Sequence, residues 1–171
     1  MSAEDHKSHA PKVVRVFVLT VSDTRSEDTD TSGQLAKERI TAAGHVVAGY
    51  RIVKDEPAQV AALVRSIAED GSADVLISSG GTGVSRRDST YEAVSGLLDK
   101  RLDGFGELFR MLSYQEIGSA AMLSRAVGGL VTGASGSLVV FALPGSSNAV
   151  RLGLEKLILP ELPHLVFEKG R

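Results

Sequence analysis

Residues 73–83 read Ala73-Asp74-Val75-Leu76-Ile77-Ser78-Ser79-Gly80-Gly81-Thr82-Gly83, and this stretch decides the fold. Its first half, residues 73–78, is short, apolar and bounded by turn signals, the pattern of a buried strand. The second half places three glycines within four residues, which lets the backbone turn sharply and approach another group closely. The loop reads as a cradle whose N–H groups converge on one point and suit a phosphate or other oxyanion. A tight turn without a ligand is the plain alternative. No Lys-Ser/Thr follows at Walker A spacing. Arg86 stands where a dinucleotide fingerprint has its third glycine.

Similar units lie on either side. Residues 13–21 read as a buried strand ending at Ser22-Asp23-Thr24. A polar loop over 27–32 holds Asp28 and Asp30. Leu35, Ala36, Ile40 and Ala43 then follow helical spacing up to Gly44. Residues 45–53 form a second strand ending at Lys54-Asp55-Glu56. Pro57 opens a helix striped by Val60, Leu63, Val64 and Ile67. Downstream, residues 89–99 read as helix, with Ser89 and Glu92 at capping-box spacing. A Gly104/Gly106 turn leads to a helix from 107 to about 113, and another follows over 119–127. Residues 138–143 are the most apolar run and end at Pro144-Gly145-Ser146-Ser147. A closing helix carries Val150, Leu152, Leu154, Leu157 and Ile158 and stops before Pro160.

Strands alternating with helices specify an α/β protein: a single three-layer domain, mainly parallel sheet, with helices on both faces. The expected organisation is a mobile N-terminal tail over 1–12 and one domain over 13–171. A parallel sheet gathers the ends at Ser22, Asp55, Ser79 and Pro144 on its carboxyl edge, where α/β folds bind ligands.

Composition narrows the function. The 171 residues include no Cys, which excludes disulfides, thiolate metal sites and cysteine nucleophiles and fits a cytoplasmic protein. A net charge of −2, no Trp and 5% aromatic residues argue against a nucleic-acid partner. Residues 126–150 carry no formal charge, but five Gly, four Ser and Pro144 make a poor membrane helix. No membrane partner is expected. His6 and His9 read as part of a solvated tail, not as metal ligands.

The chemistry-bearing residues cluster at the strand ends. Pro144-Gly145-Ser146-Ser147-Asn148 precedes a helix start and reads as a second anion site or as an ordinary N-cap. Asp88 follows the glycine loop, and capping by Ser89 would leave it free. Asp55 serves as a helix cap or as a ligand. Together Asp55 and Asp88 could hold Mg²⁺, which takes one or two carboxylates plus waters and substrate phosphates. Arg25, Lys54, Arg86 and Arg87 could offset phosphate charge. Gly133-Ala134-Ser135-Gly136 is not a nucleophile elbow, because Ser137 replaces its last glycine.

These motifs together resemble one family, the MoaB/Mog proteins of molybdenum-cofactor biosynthesis, related to the gephyrin G domain. The resemblance spans residues 16–162. It rests on Thr20-Val21-Ser22-Asp23, Asp30-Thr31-Ser32-Gly33, Gly80-Gly81-Thr82-Gly83 with Arg87-Asp88, Gly104-Phe105-Gly106-Glu107, Leu123-Ser124-Arg125-Ala126 and Pro144-Gly145-Ser146. Residues 109–118 look like the MoaB branch. Tyr91 departs from the family's usual Pro, and Asn148 from its commoner residue.

The resemblance implies molybdopterin binding and Mg²⁺-dependent transfer of AMP from ATP to the molybdopterin phosphate, releasing pyrophosphate. By motif it makes Asp55 and Asp88 the catalytic, metal-associated pair. It assigns substrate contact to Ser22, Asp23, Ser79, Gly80, Gly81, Thr82, Gly83, Glu107, Gly145, Ser146 and Ser147. It further implies a homotrimer or homohexamer. The competing readings are a non-catalytic molybdopterin carrier and a pyrophosphohydrolase; no residue stands out as a base for the latter.

Overall fold

The computed structural model describes residues 10–170. Most of the expected tail, with His6 and His9, lies outside the described residues. The chain runs β1 (Arg15–Val21), α1 (Thr31–Ala42), β2 (Val46–Val53), α2 (Pro57–Asp70), β3 (Val75–Ser79), α3 (Thr90–Ser95), β4 (Lys100–Arg101) and α4 (Asp103–Ile117). A 3₁₀ segment (Gly118–Leu123), β5 (Val127–Gly133) and β6 (Gly136–Leu143) follow. Next come α5 (Ser147–Gly153), a π-turn (Leu154–Ile158) and α6 (Leu159–Lys169).

Six strands form one sheet in the order β2-β1-β3-β6-β5-β4. The first four are mutually parallel, and β5 runs antiparallel to both β6 and β4. Period-two alternation divides the core. Val16, Val18, Val75, Ile77, Val139 and Phe141 pack with α1, α4, α5 and α6 on one face. Leu76, Leu138 and Val140 meet Val60, Val64 and Ile67 of α2 and Val94 of α3 on the other. The expected three-layer α/β domain is therefore observed.

Four expectations fail locally. The helix read over 119–127 is the 3₁₀ segment followed by β5, a strand disguised by its glycines. A Cβ on Gly128 would fall 2.6 Å from the Phe141 ring, and one on Gly129 would fall 2.3 Å from the Lys100 carbonyl oxygen. These positions are glycine because neighbours press on the strand. Gly133 to Gly136 closes the β5–β6 hairpin. The turn read at Gly104/Gly106 is the first turn of α4, where a Cβ on Gly106 would sit 2.9 Å from the Ala126 carbonyl oxygen. The polar loop ends earlier than expected, because Asp30 caps α1 by accepting the Gly33 N–H. Pro160 does not end the final helix: the hydrogen-bond ladder changes at the π-turn, and α6 continues past both Pro160 and Pro163.

His45 is 8% exposed, and its Nδ1 accepts the Val14 N–H at 3.3 Å. Burial lowers its pKa. Below the unfolded pKa of about 6.5 the unfolded chain binds the extra proton, so this contribution is lost as pH falls from there through the lowered folded value. The thermal midpoint should drop more between pH 7.5 and 5.5 in the wild type than in His45→Gln, and equal drops would show that His45 is not the sensor.

Candidate functional site

The four strand ends meet. Gly80 N–H donates to the Leu143 carbonyl at 3.0 Å, and a Cβ on Gly145 would lie 3.1 Å from the Gly80 Cα. Ser22 N–H donates to the Val53 carbonyl at 2.9 Å, and Asp55 N–H to Asp23 Oδ1 at 3.1 Å. The loops after β1, β2, β3 and β6 thus share one edge. Ser22, Asp23, Asp55, Ser79 through Gly83 and Gly145 are brought together there.

The glycine loop is built as a cradle. Gly80 and Gly81 take φ values of +98° and +67°, a region that disfavours residues with a Cβ. Gly80 also rides on β1, where a Cβ would fall 2.2 Å from the Val21 carbonyl oxygen. Among the described residues, the amides of Gly81, Thr82, Gly83 and Val84 have no protein acceptor. Successive amides without a protein acceptor are donors that an anion could take.

Asp55 is 7% exposed. Its Oδ1 accepts both the Ser89 N–H at 3.1 Å and the Ser89 hydroxyl at 2.6 Å. Its Oδ2 accepts nothing among the described residues. That oxygen lies 2.4 Å from the point where a Gly81 Cβ would be, and Thr90 Oγ1 lies 2.1 Å from the same point. Thr90 is fully buried and its hydroxyl is unpartnered.

This geometry corrects two expectations about caps. Ser89 makes no side-chain capping bond to α3, because its hydroxyl is turned to Asp55. Asp55 does not cap α2 either: Glu56 holds the N-cap position and its side chain makes no capping bond. The argument that Ser89 frees Asp88 therefore falls. Asp88 Oδ2 accepts the Ser85 N–H at 2.9 Å and closes the turn after the loop, which leaves Oδ1 without a donor.

Asp23 is exposed and chelated by Arg87, whose Nε and Nη2 lie 3.1 and 3.0 Å from its oxygens. Arg87 also reaches Glu56 at 3.1 Å. These hydrogen bonds, and the Asp55 N–H behind them, hold the Asp23 carboxyl below its usual range. An exposed pair of this kind is screened by water and easily exchanged for a phosphate.

On the β6 side, the Ser146 hydroxyl caps α5 by accepting the Ala149 N–H at 3.2 Å, as the N-cap reading expects. Ser147 shares a hydroxyl contact of 3.2 Å with Thr31. Asn148 turns to Glu116, with Nδ2 donating at 2.8 Å. Glu107 is exposed on α4, and no hydrogen bond or ion pair links it to the four loops among the described residues.

Two groups were not legible as parts of this edge. Asp30 is fully buried and accepts the hydroxyls of Thr20 and Tyr50, each at 2.6 Å. Burial alone would raise its carboxyl; the Thr20, Tyr50, Gly33 and Ser32 donors outweigh it and leave the group below its usual range. Arg25 joins this hub through Asp30 Oδ1 at 3.4 Å and donates to the Gly145 carbonyl at 3.2 Å, which ties the β6 loop to the β1 loop. Arg125 reaches the glycine loop from 42 positions away. A lone arginine carries no local signal of such a contact.

The donor set fits Mg²⁺. Asp55 and Asp88 each keep one carboxylate oxygen without a protein donor at the glycine loop. No group of three or more His, Cys, Asp or Glu able to hold a metal occurs among the described residues. An ion held here would complete its shell with water and substrate phosphate, the habit of Mg²⁺.

A mostly parallel sheet with a glycine cradle at its carboxyl edge defines an α/β protein of the ligand-binding kind. Residues 17–164 match the family described as "Probable molybdopterin binding domain". The Bacillus cereus protein named molybdenum cofactor biosynthesis protein B is 54% identical over 172 residues, covering 100% of this chain and 99% of the relative. A crystal structure of a molybdenum cofactor biosynthesis protein B superposes with a TM-score of 0.89 at 55% identity, covering 95% of this chain and 99% of that one. The tungsten cofactor synthesizing protein MoaB from Pyrococcus furiosus gives 0.82 at 42% identity, covering 95% and 100%. The chain belongs to the MoaB/Mog family of molybdenum-cofactor biosynthesis proteins.

Proposed function

We propose that this chain catalyses Mg²⁺-dependent transfer of AMP from ATP to the phosphate of molybdopterin. A phosphate oxygen of the pterin forms a bond to the α-phosphorus of ATP. The bond from that phosphorus to the bridging oxygen breaks, and pyrophosphate leaves. The nucleophile is already anionic, so no protein base is needed. The protein supplies positioning and electrostatics.

In this reading the free amides of the glycine loop hold the pterin phosphate, and Ser22 and Asp23 lie toward the nucleotide. Asp55 and Asp88 hold the ion, which when bound offsets charge on the phosphates. The observation that carries the reading is Asp55: a nearly buried carboxylate with one oxygen fixed by Ser89 and the other left free against the loop. A carrier needs the amides but not that spare charge. Incubation with molybdopterin, ATP and Mg²⁺ tests the proposal. Adenylylated pterin and pyrophosphate should appear in equal amounts, and pterin binding without ATP consumption would leave only the carrier.

The proposal includes self-association as a homotrimer or homohexamer. In its support, Leu108, Met111, Tyr114 and Ile117 of α4 and Met122 and Leu123 of the 3₁₀ segment are all exposed, with Met122 at 80%. Exposed apolar side chains on adjoining segments are the kind of surface that marks protein–protein contact. Ile117→Glu with Met122→Glu should reduce the mass seen by light scattering to that of one chain, and an unchanged mass would move the interface elsewhere. Among the described residues no helix is long and apolar enough to cross a membrane, and the proposed site of action is the cytoplasm.

A further inference from the structure

We propose that Arg125 is the positioning residue that aims the anion-binding amides of the glycine loop, with Tyr91 as its seat and Glu92 as its tether. The inference rests on the reading that this loop holds the pterin phosphate. Arg125 Nε donates to the Thr82 carbonyl at 2.9 Å, and its Nη2 donates to the Gly83 carbonyl. One planar guanidinium therefore fixes two successive peptide groups.

The consequence follows from covalent geometry. In a trans peptide the C=O and the following N–H point in opposite directions, and no cis bond occurs among the described residues. With the carbonyls of Thr82 and Gly83 turned to Arg125, the N–H groups of Gly83 and Val84 are turned away from it. No protein acceptor meets either amide there. Free rotation of these peptides would scatter the donors, so the guanidinium holds a pair of amides ready before the ligand arrives.

The guanidinium is itself held. Glu92 accepts from both Nη1 and Nη2, the latter at 3.3 Å. Arg125 Cζ lies 4.9 Å from the centre of the Tyr91 ring, within cation–π range. Tyr91 thus has a place in the packing of the loop. A Lys at 125 could reach one carbonyl but could not span both with one rigid fork.

The test compares affinities for hydroxymethylpterin phosphate and for hydroxymethylpterin without the phosphate, by calorimetric titration in the absence of ATP. Arg125→Ala should keep a cooperative melt, while the ratio of the two affinities falls at least about tenfold, equal to about 1.4 kcal/mol. Arg125→Lys should recover only part of it. If Arg125→Ala retains the wild-type ratio, the inference is overturned while the loop still stands as the phosphate site. If the wild type shows no preference for the phosphorylated pterin, the loop reading falls and the inference falls with it. Should Arg125→Ala fail to fold, Glu92→Gln decides: a ratio reduced about threefold supports the tether, because a charge-assisted bond has been weakened, and an unchanged ratio overturns it.

Discussion

Asp55→Asn should abolish most adenylyl transfer while leaving the protein folded. The amide is isosteric with the carboxylate. Its carbonyl oxygen can still accept the Ser89 N–H and hydroxyl that Oδ1 accepts now. Its NH₂ group replaces Oδ2, which accepts no hydrogen bond among the described residues, so no bond is lost there. Exchanging a charged acceptor for a neutral one weakens the Ser89 bonds but keeps them, and the change in stability should be about 1 kcal/mol. The Mg²⁺ requirement is not served so well, because the ion wants the charge that the amide lacks. A loss of about a hundredfold in turnover, or about 2.7 kcal/mol of barrier, is expected, together with a higher Mg²⁺ optimum. Turnover and thermal midpoint should be measured on the same preparation. Wild-type turnover with wild-type Mg²⁺ dependence would make Asp55 an anchor for Ser89 and nothing more, and the carrier reading would replace the enzyme.

The sequence announces the parallel half of this molecule well, because β1, β3 and β6 are continuous apolar runs that stop at polar or glycine-rich loops. Strand ends then fix the edge, and the loops that begin at Ser22, Asp55, Ser79 and Pro144 share it as expected. What stays hidden is whatever depends on a partner distant in the chain. The central glycines of β5 erase its strand signature, yet they are there because Phe141 and the β4 backbone press against them. Ser89 has the spacing of a capping box, but capping is a local option and the Asp55 carboxylate is a stronger acceptor. Arg125 and Asp30 stand in motifs that the sequence shows, but their roles are hidden for the same reason. Their contacts join loops that only the folded sheet brings together.

Gly81→Val should be strongly damaging, through strain and collision at once. The φ of +67° places the residue in the left-handed region, where a β-branched side chain costs about 1–2 kcal/mol. A Cβ there would lie 2.1 Å from Thr90 Oγ1 and 2.4 Å from Asp55 Oδ2, and both atoms belong to buried side chains with little room to move. Overpacking adds about 1–3 kcal/mol. A total of about 2–5 kcal/mol is expected, so stability falls along with binding. Gly44→Val is the control, because Gly44 also has a positive φ, +84°, with nothing within 4 Å of its Cβ position. It should lose only the strain. Chemical denaturation of both variants separates the two contributions, and pterin binding by whatever folded Gly81→Val remains reports the site. Equal destabilisation at the two positions would mean that Asp55 and Thr90 yield freely. In that event the packing that holds the Asp55 carboxylate against the loop would be too soft to fix a metal ligand.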